Sequence, residues 1–257
     1  MGILFEKSSP DSSSPYHAPL MFSDAHKTHR LLIICLSMIA LLALPAIASP
    51  AGRIVIEGSA TGSHLRLSVD GPDLLVDGAM SESPPRGCSF THNHDAAACP
   101  LDGVEAIELN MGDRGDFVEV LDRLPFPLTV HLGSGQDKFI GSGERDFCFP
   151  EGSRRNRCVG EGGNDVCITG SENSDCVGGP GNDYCRTSTG SDGCWGGPGD
   201  DVCYMGPGQD GCHGEAGNDR LYGELNPDQL YGGEGFDFCD GGLGKGSSHA
   251  CEAGPLH

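Results

Sequence analysis

The chain has 257 residues, of which 37% are apolar, 6% are aromatic and 41 are glycine. Thirty-seven Asp and Glu stand against 16 Lys and Arg, a formal net charge of −21 at pH 7. This composition excludes a thick conventional core, and the charge excludes nucleic acid as a partner, since phosphate binding needs a cationic face. It points to a cation instead.

The first element in chain order is an export signal. "HKTHR" (His26 to Arg30) is basic, "LLIICLSMIALLAL" (Leu31 to Leu44) is apolar, and "PAIAS" offers small residues for cleavage after Ala48. Residues 1–48 are therefore expected to be a signal peptide, with Met21 as an alternative start. The apolar run is too short for a span and breaks at Pro45, so no stable membrane span is expected after cleavage. Residues 1–48 hold three acids and three bases, so all the excess acid is exported. Loss of Cys35 leaves 12 of 13 cysteines, an even number in an oxidising, extracellular setting, which favours disulfides.

Residues 49–131 read as short strands between turns: "RIVIEG", "LRLSVDG", "LLVDG", "VEAIELN", "FVEVL" and "LTVHL". Their alternation has the period of a strand, and no stretch sustains a helical one. Cys88 and Cys99 bracket a polar loop, and a disulfide across it is expected. His92 and His94 lie in that loop without further paired ligand spacing, so they read as solvated polar residues. "HNH" there is no nuclease signature, and "RGD" (Arg114 to Asp116) falls where an acidic turn belongs.

From Leu132 to Asp240 a nine-residue phrase takes over. Among its copies are "GEGGNDVCI", "GGPGNDYCR", "GGPGDDVCY", "GEAGNDRLY" and "GGEGFDFCD", with one ten-residue step through "PEGSRRNRCV". The phrase resembles the repeats-in-toxin (hemolysin-type) calcium-binding nonapeptide G-G-x-G-x-D-x-U-x, where U is large and apolar. The resemblance implies an all-β fold, a parallel β-roll (β-solenoid) in which nine residues make half a coil. Residues 49–131 would form a small strand-rich N-terminal cap region, residues 132–240 the roll, and residues 241–257 a C-terminal cap.

The chemistry follows from the spacing. Glycines permit the positive φ of a tight turn, and the sixth-position aspartate joins backbone carbonyls in the oxygen cage that calcium prefers. Candidate ligands are Asp146, Asp165, Asp183, Asp201, Asp219 and Asp237 on one edge, with Gly179, Gly181, Gly197 and Gly199 of the two complete turns. The opposite edge carries Asp137, Asn156, Ser174, Asp192, Asp210 and Asp228, in turns that have lost glycines, the acid or both. Asp192 and Asp210 are further candidates there. The alternation predicts several calcium ions, loaded along the first edge.

The eighth, inward position is cysteine in eight successive repeats: Cys148, Cys158, Cys167, Cys176, Cys185, Cys194, Cys203 and Cys212. Leu221 and Leu230 follow. Facing sheets normally lie ~10 Å apart, so bonding across the roll requires the coil to pinch. Pairs 148–158, 167–176, 185–194 and 203–212 would strand no cysteine, although counting leaves pairing along one row open. A zinc site is not expected, because the close C-x2–4-C spacing is missing. Cys239 and Cys251 flank a decayed repeat and would tie the last coil shut.

No H-E-x-x-H and no G-x-S-x-G occurs in the chain. The expectation is a secreted, non-catalytic calcium-binding protein that folds on binding, with a disulfide-reinforced core. Two alternatives are a relative or accessory of a secreted hydrolase or toxin, and a cell-surface adhesin spacer. No motif identifies a protein or cell-wall partner.

Overall fold

The computed structural model describes residues 52–253, except 60, 79–82, 92–95, 153 and 245. The export signal, Cys35, His92 and His94 lie outside the described residues. Among these residues every regular element is a strand. In chain order the first nine are β1 (Arg53–Glu57), β2 (His64–Asp70), β3 (Asp73–Gly78), β4 (Ser89–Phe90), β5 (Ala96–Pro100), β6 (Ala106–Asn110), β7 (Phe117–Val120), β8 (Leu128–His131) and β9 (Lys138–Ile140). The repeats supply β10 (Asp146–Phe149), β11 (Asn156–Val159), β12 (Val166–Ile168), β13 (Ser174–Val177), β14 (Tyr184–Arg186) and β15 (Gly193–Pro198). They continue with β16 (Val202–Tyr204), β17 (Gly211–Ala216), β18 (Arg220–Tyr222), β19 (Gln229–Glu234), β20 (Phe238–Asp240) and β21 (Ser247–His249).

These strands alternate between two sheets, as a two-sided coil demands. The first sheet runs β1-β6-β8-β10-β12-β14-β16-β18-β20, all parallel. The second runs from β21 through the odd-numbered strands to β7, then β2-β3-β5-β4. Its last three pairings are antiparallel, so β3, β5 and β4 fold back beyond the first coils. Register fixes the coil at 18 residues in the repeats, with Cys167 beside Cys185 and Cys185 beside Cys203. This is the β-roll that the resemblance to the calcium-binding nonapeptide implies.

Both sheets begin before Leu132: β1, β2, β6, β7 and β8 already stack in them. The reason is visible in their alternation, which sends Ile54, Ile56, Leu65, Leu67, Ile107, Leu109, Val118 and Val130 inward to full burial. The core continues through Leu132 and Phe139, turns to cysteine at Cys148 and returns to leucine at Leu221. Three strands were illegible in sequence. β4 is only two residues long, β5 is alanine-rich and β21 is polar, so none carries a β-propensity signal.

Among the described residues four disulfides are present: Cys88–Cys99, Cys148–Cys158, Cys167–Cys176 and Cys239–Cys251. The two within the roll bridge the sheets with Cα–Cα separations of 6.3 and 6.1 Å, so the coil does pinch there. Cys185, Cys194, Cys203 and Cys212 differ from the sequence expectation. They are four buried thiols, not the pairs 185–194 and 203–212. Each has a neighbour across the roll and another one coil along its row, so spacing alone does not select one partner.

Candidate metal centre

The sixth-position aspartates form a continuous ladder along one edge of the roll. Asp146, Asp165, Asp183, Asp201, Asp219 and Asp237 are all buried. The backbone N–H of each donates to Oδ1 of the aspartate one coil further on. The distances are 2.7 Å for Asp146 to Asp165, Asp165 to Asp183 and Asp183 to Asp201, then 2.8 and 2.9 Å for the next two. At the end, Asp237 N–H donates to Glu252 Oε2 at 2.8 Å. Glu252 thus takes the place of a seventh aspartate, a role its sequence context (a decayed repeat) gave no sign of.

The second oxygen of these carboxylates is the informative one. Oδ2 of Asp165, Asp183, Asp201, Asp219 and Asp237 is buried without a hydrogen-bond partner. Leaving such a group unpaired costs on the order of 1–3 kcal/mol, more when it is charged. Asp146 differs, because its Oδ2 accepts from Ser142 N–H at 2.6 Å.

Glycine makes room for those oxygens. A Cβ built on Gly160, Gly178, Gly196 or Gly214, the first residue of each turn, would collide with Oδ2 of Asp165, Asp183, Asp201 or Asp219. The same Cβ on Gly178 would lie 2.6 Å from the carbonyl oxygen of Gly196. Carbonyl and carboxylate oxygens therefore converge beside a glycine Cα, the hard-oxygen surroundings that suit calcium. These first-position glycines were not among the candidates read from sequence. Gly179, Gly181, Gly197 and Gly199 were, and they hold φ values of 111°, 153°, 115° and 148°. A side chain on Gly199 would run into the carbonyl oxygen of Gly181 below it, so this stack tolerates only glycine.

Electrostatics mark the same residues. Burial pushes Asp165 and Asp201 up to about 8, with neighbouring aspartates of the ladder adding to the rise. Burial likewise raises Asp146, Asp183 and Asp219 to about 6. A ladder of like charges out of water resists ionising, and a divalent cation relieves both causes.

The opposite edge has its own ladder, with gaps. Ser174 N–H donates to Asp192 Oδ1, Asp192 N–H to Asp210 and Asp210 N–H to Asp228, at 2.6, 2.7 and 3.0 Å. Asn156 and Ser174 stand where carboxylates would be. Oδ2 of Asp137, Asp192, Asp210 and Asp228 is again buried and unpartnered. The difference lies in the first position, where Leu132, Pro150, Thr169, Thr187 and Met205 replace glycine. A glycine returns only at Gly223, beside Asp228, whose carboxyl burial raises to about 7.

Asp116, within the "RGD", belongs to this ladder too. It accepts from Ser63 N–H at 2.5 Å, and its own N–H donates to Asp137 Oδ1 at 2.8 Å. The phrase "MGDRGDFVE" is a decayed nonapeptide with Asp116 sixth, which is the signal that could have found it.

The family of the RTX calcium-binding nonapeptide repeat (4 copies) matches residues 177–211 and 213–246. The chain carries RTX calcium-binding repeats. The matched RTX stretch holds the two complete turns with Asp183 and Asp201, and the neighbouring turns of Asp219 and Asp237. No curated protein matches the chain, and neither does any solved structure. Among the described residues no helix is long and apolar enough to cross a membrane.

Proposed function

We propose that the chain after residue 48 is a secreted, non-catalytic RTX protein that binds several calcium ions along the Asp146–Asp237 edge and folds as it binds them. The observation that carries this reading is the file of buried, unpartnered Oδ2 atoms, each set against a first-position glycine, with a carbonyl oxygen of the next coil also beside Gly160, Gly178, Gly214 and Gly232. Asp165, Asp183, Asp201, Asp219 and Asp237 are the ligands, with turn carbonyls of Gly179, Gly181, Gly197 and Gly199 completing the cage. Asp146 is a weaker ligand because Ser142 already occupies its Oδ2. Asp192 and Asp210 on the other edge are secondary, since Thr187 and Met205 fill the position that glycine leaves open beside the first-edge acids.

Without calcium these acids repel one another in a poorly solvated row, and the ordered roll is disfavoured. Calcium neutralises them, so its binding energy becomes folding energy. Extracellular calcium modules bind at ~10⁻⁴–10⁻³ M, which would leave the chain loose inside a cell and ordered outside. The oxidised pairs 148–158 and 167–176 support an extracellular location, because such bridges persist in oxidising surroundings. Calorimetric titration of residues 49–257 with calcium tests the assignment. A stoichiometry of several ions that drops on Asp183→Ala is expected, and an unchanged stoichiometry would remove these residues from the site.

A further inference from the structure

The interior of the roll changes chemistry along its axis. After the two disulfides come four thiols, and then Leu221 and Leu230 close the core. Cys185 and Cys203 are register partners in the first sheet, and Cys194 and Cys212 are partners in the second. All four are buried. The sulfurs of Cys185, Cys194 and Cys203 lie within 4.8 Å of one another. A narrow void of about 20 Å³ in all, running along the roll from Phe139 to Leu221, has all four of these cysteines in its wall. A fifth sulfur adjoins them: Met205 is fully buried, with Sδ 3.0 Å from Cys203 Sγ.

We propose that Cys185, Cys194 and Cys203, together with Met205, form a buried all-sulfur site for one soft d¹⁰ cation, copper(I) in class, with Cys212 beside it. The loop spacing that usually announces a thiolate metal site is absent from the sequence. The solenoid supplies the proximity instead, by nine-residue steps across the roll and eighteen-residue steps along it. Calcium, a hard cation, has no use for sulfur, so this site is chemically separate from the aspartate edge. The thioether decides between soft cations. Zinc draws on thiolate, imidazole and carboxylate, whereas a mixed thiolate and thioether set suits copper(I).

A metal–sulfur bond of ~2.3 Å sets neighbouring sulfurs a little under 4 Å apart, so the thiol cluster needs only a small contraction. Each S–H that becomes a ligand gives up its proton to solvent, and no electron moves. Because the cluster is buried, the cation would enter as the roll folds. Once bound, it would also keep these cysteines from closing as 185–194 and 203–212.

The test uses residues 49–257 with the other disulfides oxidised and four thiols confirmed by counting. Copper(I) is added anaerobically as its acetonitrile complex to the calcium-free chain, which is then folded by adding calcium and passed through gel filtration. One copper per chain is expected to co-elute, with an ultraviolet thiolate-to-copper absorption band and binding at least about tenfold stronger than that of zinc. Cys185→Ser combined with Cys203→Ser should abolish retention, and Met205→Leu, which preserves size, should weaken it. Calcium-dependent β signal checks that each variant folds; if the double variant does not, Met205→Leu carries the comparison. A folded chain with four free thiols that retains no copper overturns the proposal. So does a preference for zinc, or the finding of 185–194 and 203–212 as disulfides in protein secreted into copper-supplemented medium.

Discussion

A single missing methyl group organises the acidic edge. Gly178 lies beside Asp183 Oδ2, so Gly178→Ala forces the carboxylate out of its place without removing any charge. Crowding of this kind costs about 1–3 kcal/mol, and here it should appear as weaker calcium binding at that turn. Titration calorimetry of the variant reads it. Asp183→Ala and Asp201→Ala should each lower the calcium count by more than one ion, because each aspartate lies between turns of adjacent coils. Ser174→Ala, on the opposite edge, should leave the count unchanged. The aspartates were legible from the nine-residue beat alone. What the first glycine does was not, since it depends on where Oδ2 lies in the folded turn. Asp116 was read as part of an acidic turn, but its place in the ladder was not, because the repeat has decayed around it. The thiols at Cys185, Cys194, Cys203 and Cys212 illustrate a different limit: spacing placed them in one core but could not say which of them bond.

Strands and edges behave as linked ladders, and their charge makes them pH-sensitive. In the calcium-free roll, burial raises Asp146, Asp183 and Asp219 from 3.8 to about 6, and Asp165 and Asp201 to about 8. The folded chain therefore holds more protons than the unfolded chain between about pH 4 and 8. That stabilisation is complete at the acid end and is lost as pH rises through the folded values. Urea denaturation of calcium-free protein whose disulfides are intact and hold the roll together should give a higher midpoint at pH 5 than at pH 8. With saturating calcium the order should reverse, because the ion competes with those same protons. At the C-terminal end, Cys239–Cys251 and the Asp237–Glu252 hydrogen bond hold the last coil. Cys251→Ser should cost the end coil about 2–4 kcal/mol, seen as faster hydrogen exchange in β20 and β21 with little change near β10. The strand content of the roll followed from period and turn chemistry. The early merger of residues 53–131 into the same two sheets did not, because their turns lack the glycine phrase that marks the later coils.

Over the whole molecule, an aliphatic start, a sulfur-rich middle and a repeated acidic edge make a thin core that needs help to stay ordered. Disulfides restrain the unfolded chain, and calcium removes the repulsion that the aspartate ladder builds up on folding. Calcium is the cation that drives that ordering. Circular dichroism of residues 49–257 with reduced cysteines, titrated with calcium and separately with magnesium, measures it directly. A cooperative gain of β signal is expected at ~10⁻⁴–10⁻³ M calcium and none with magnesium, which demands a tighter octahedral shell. Equal responses to both ions, or full β signal before any cation is added, would contradict it.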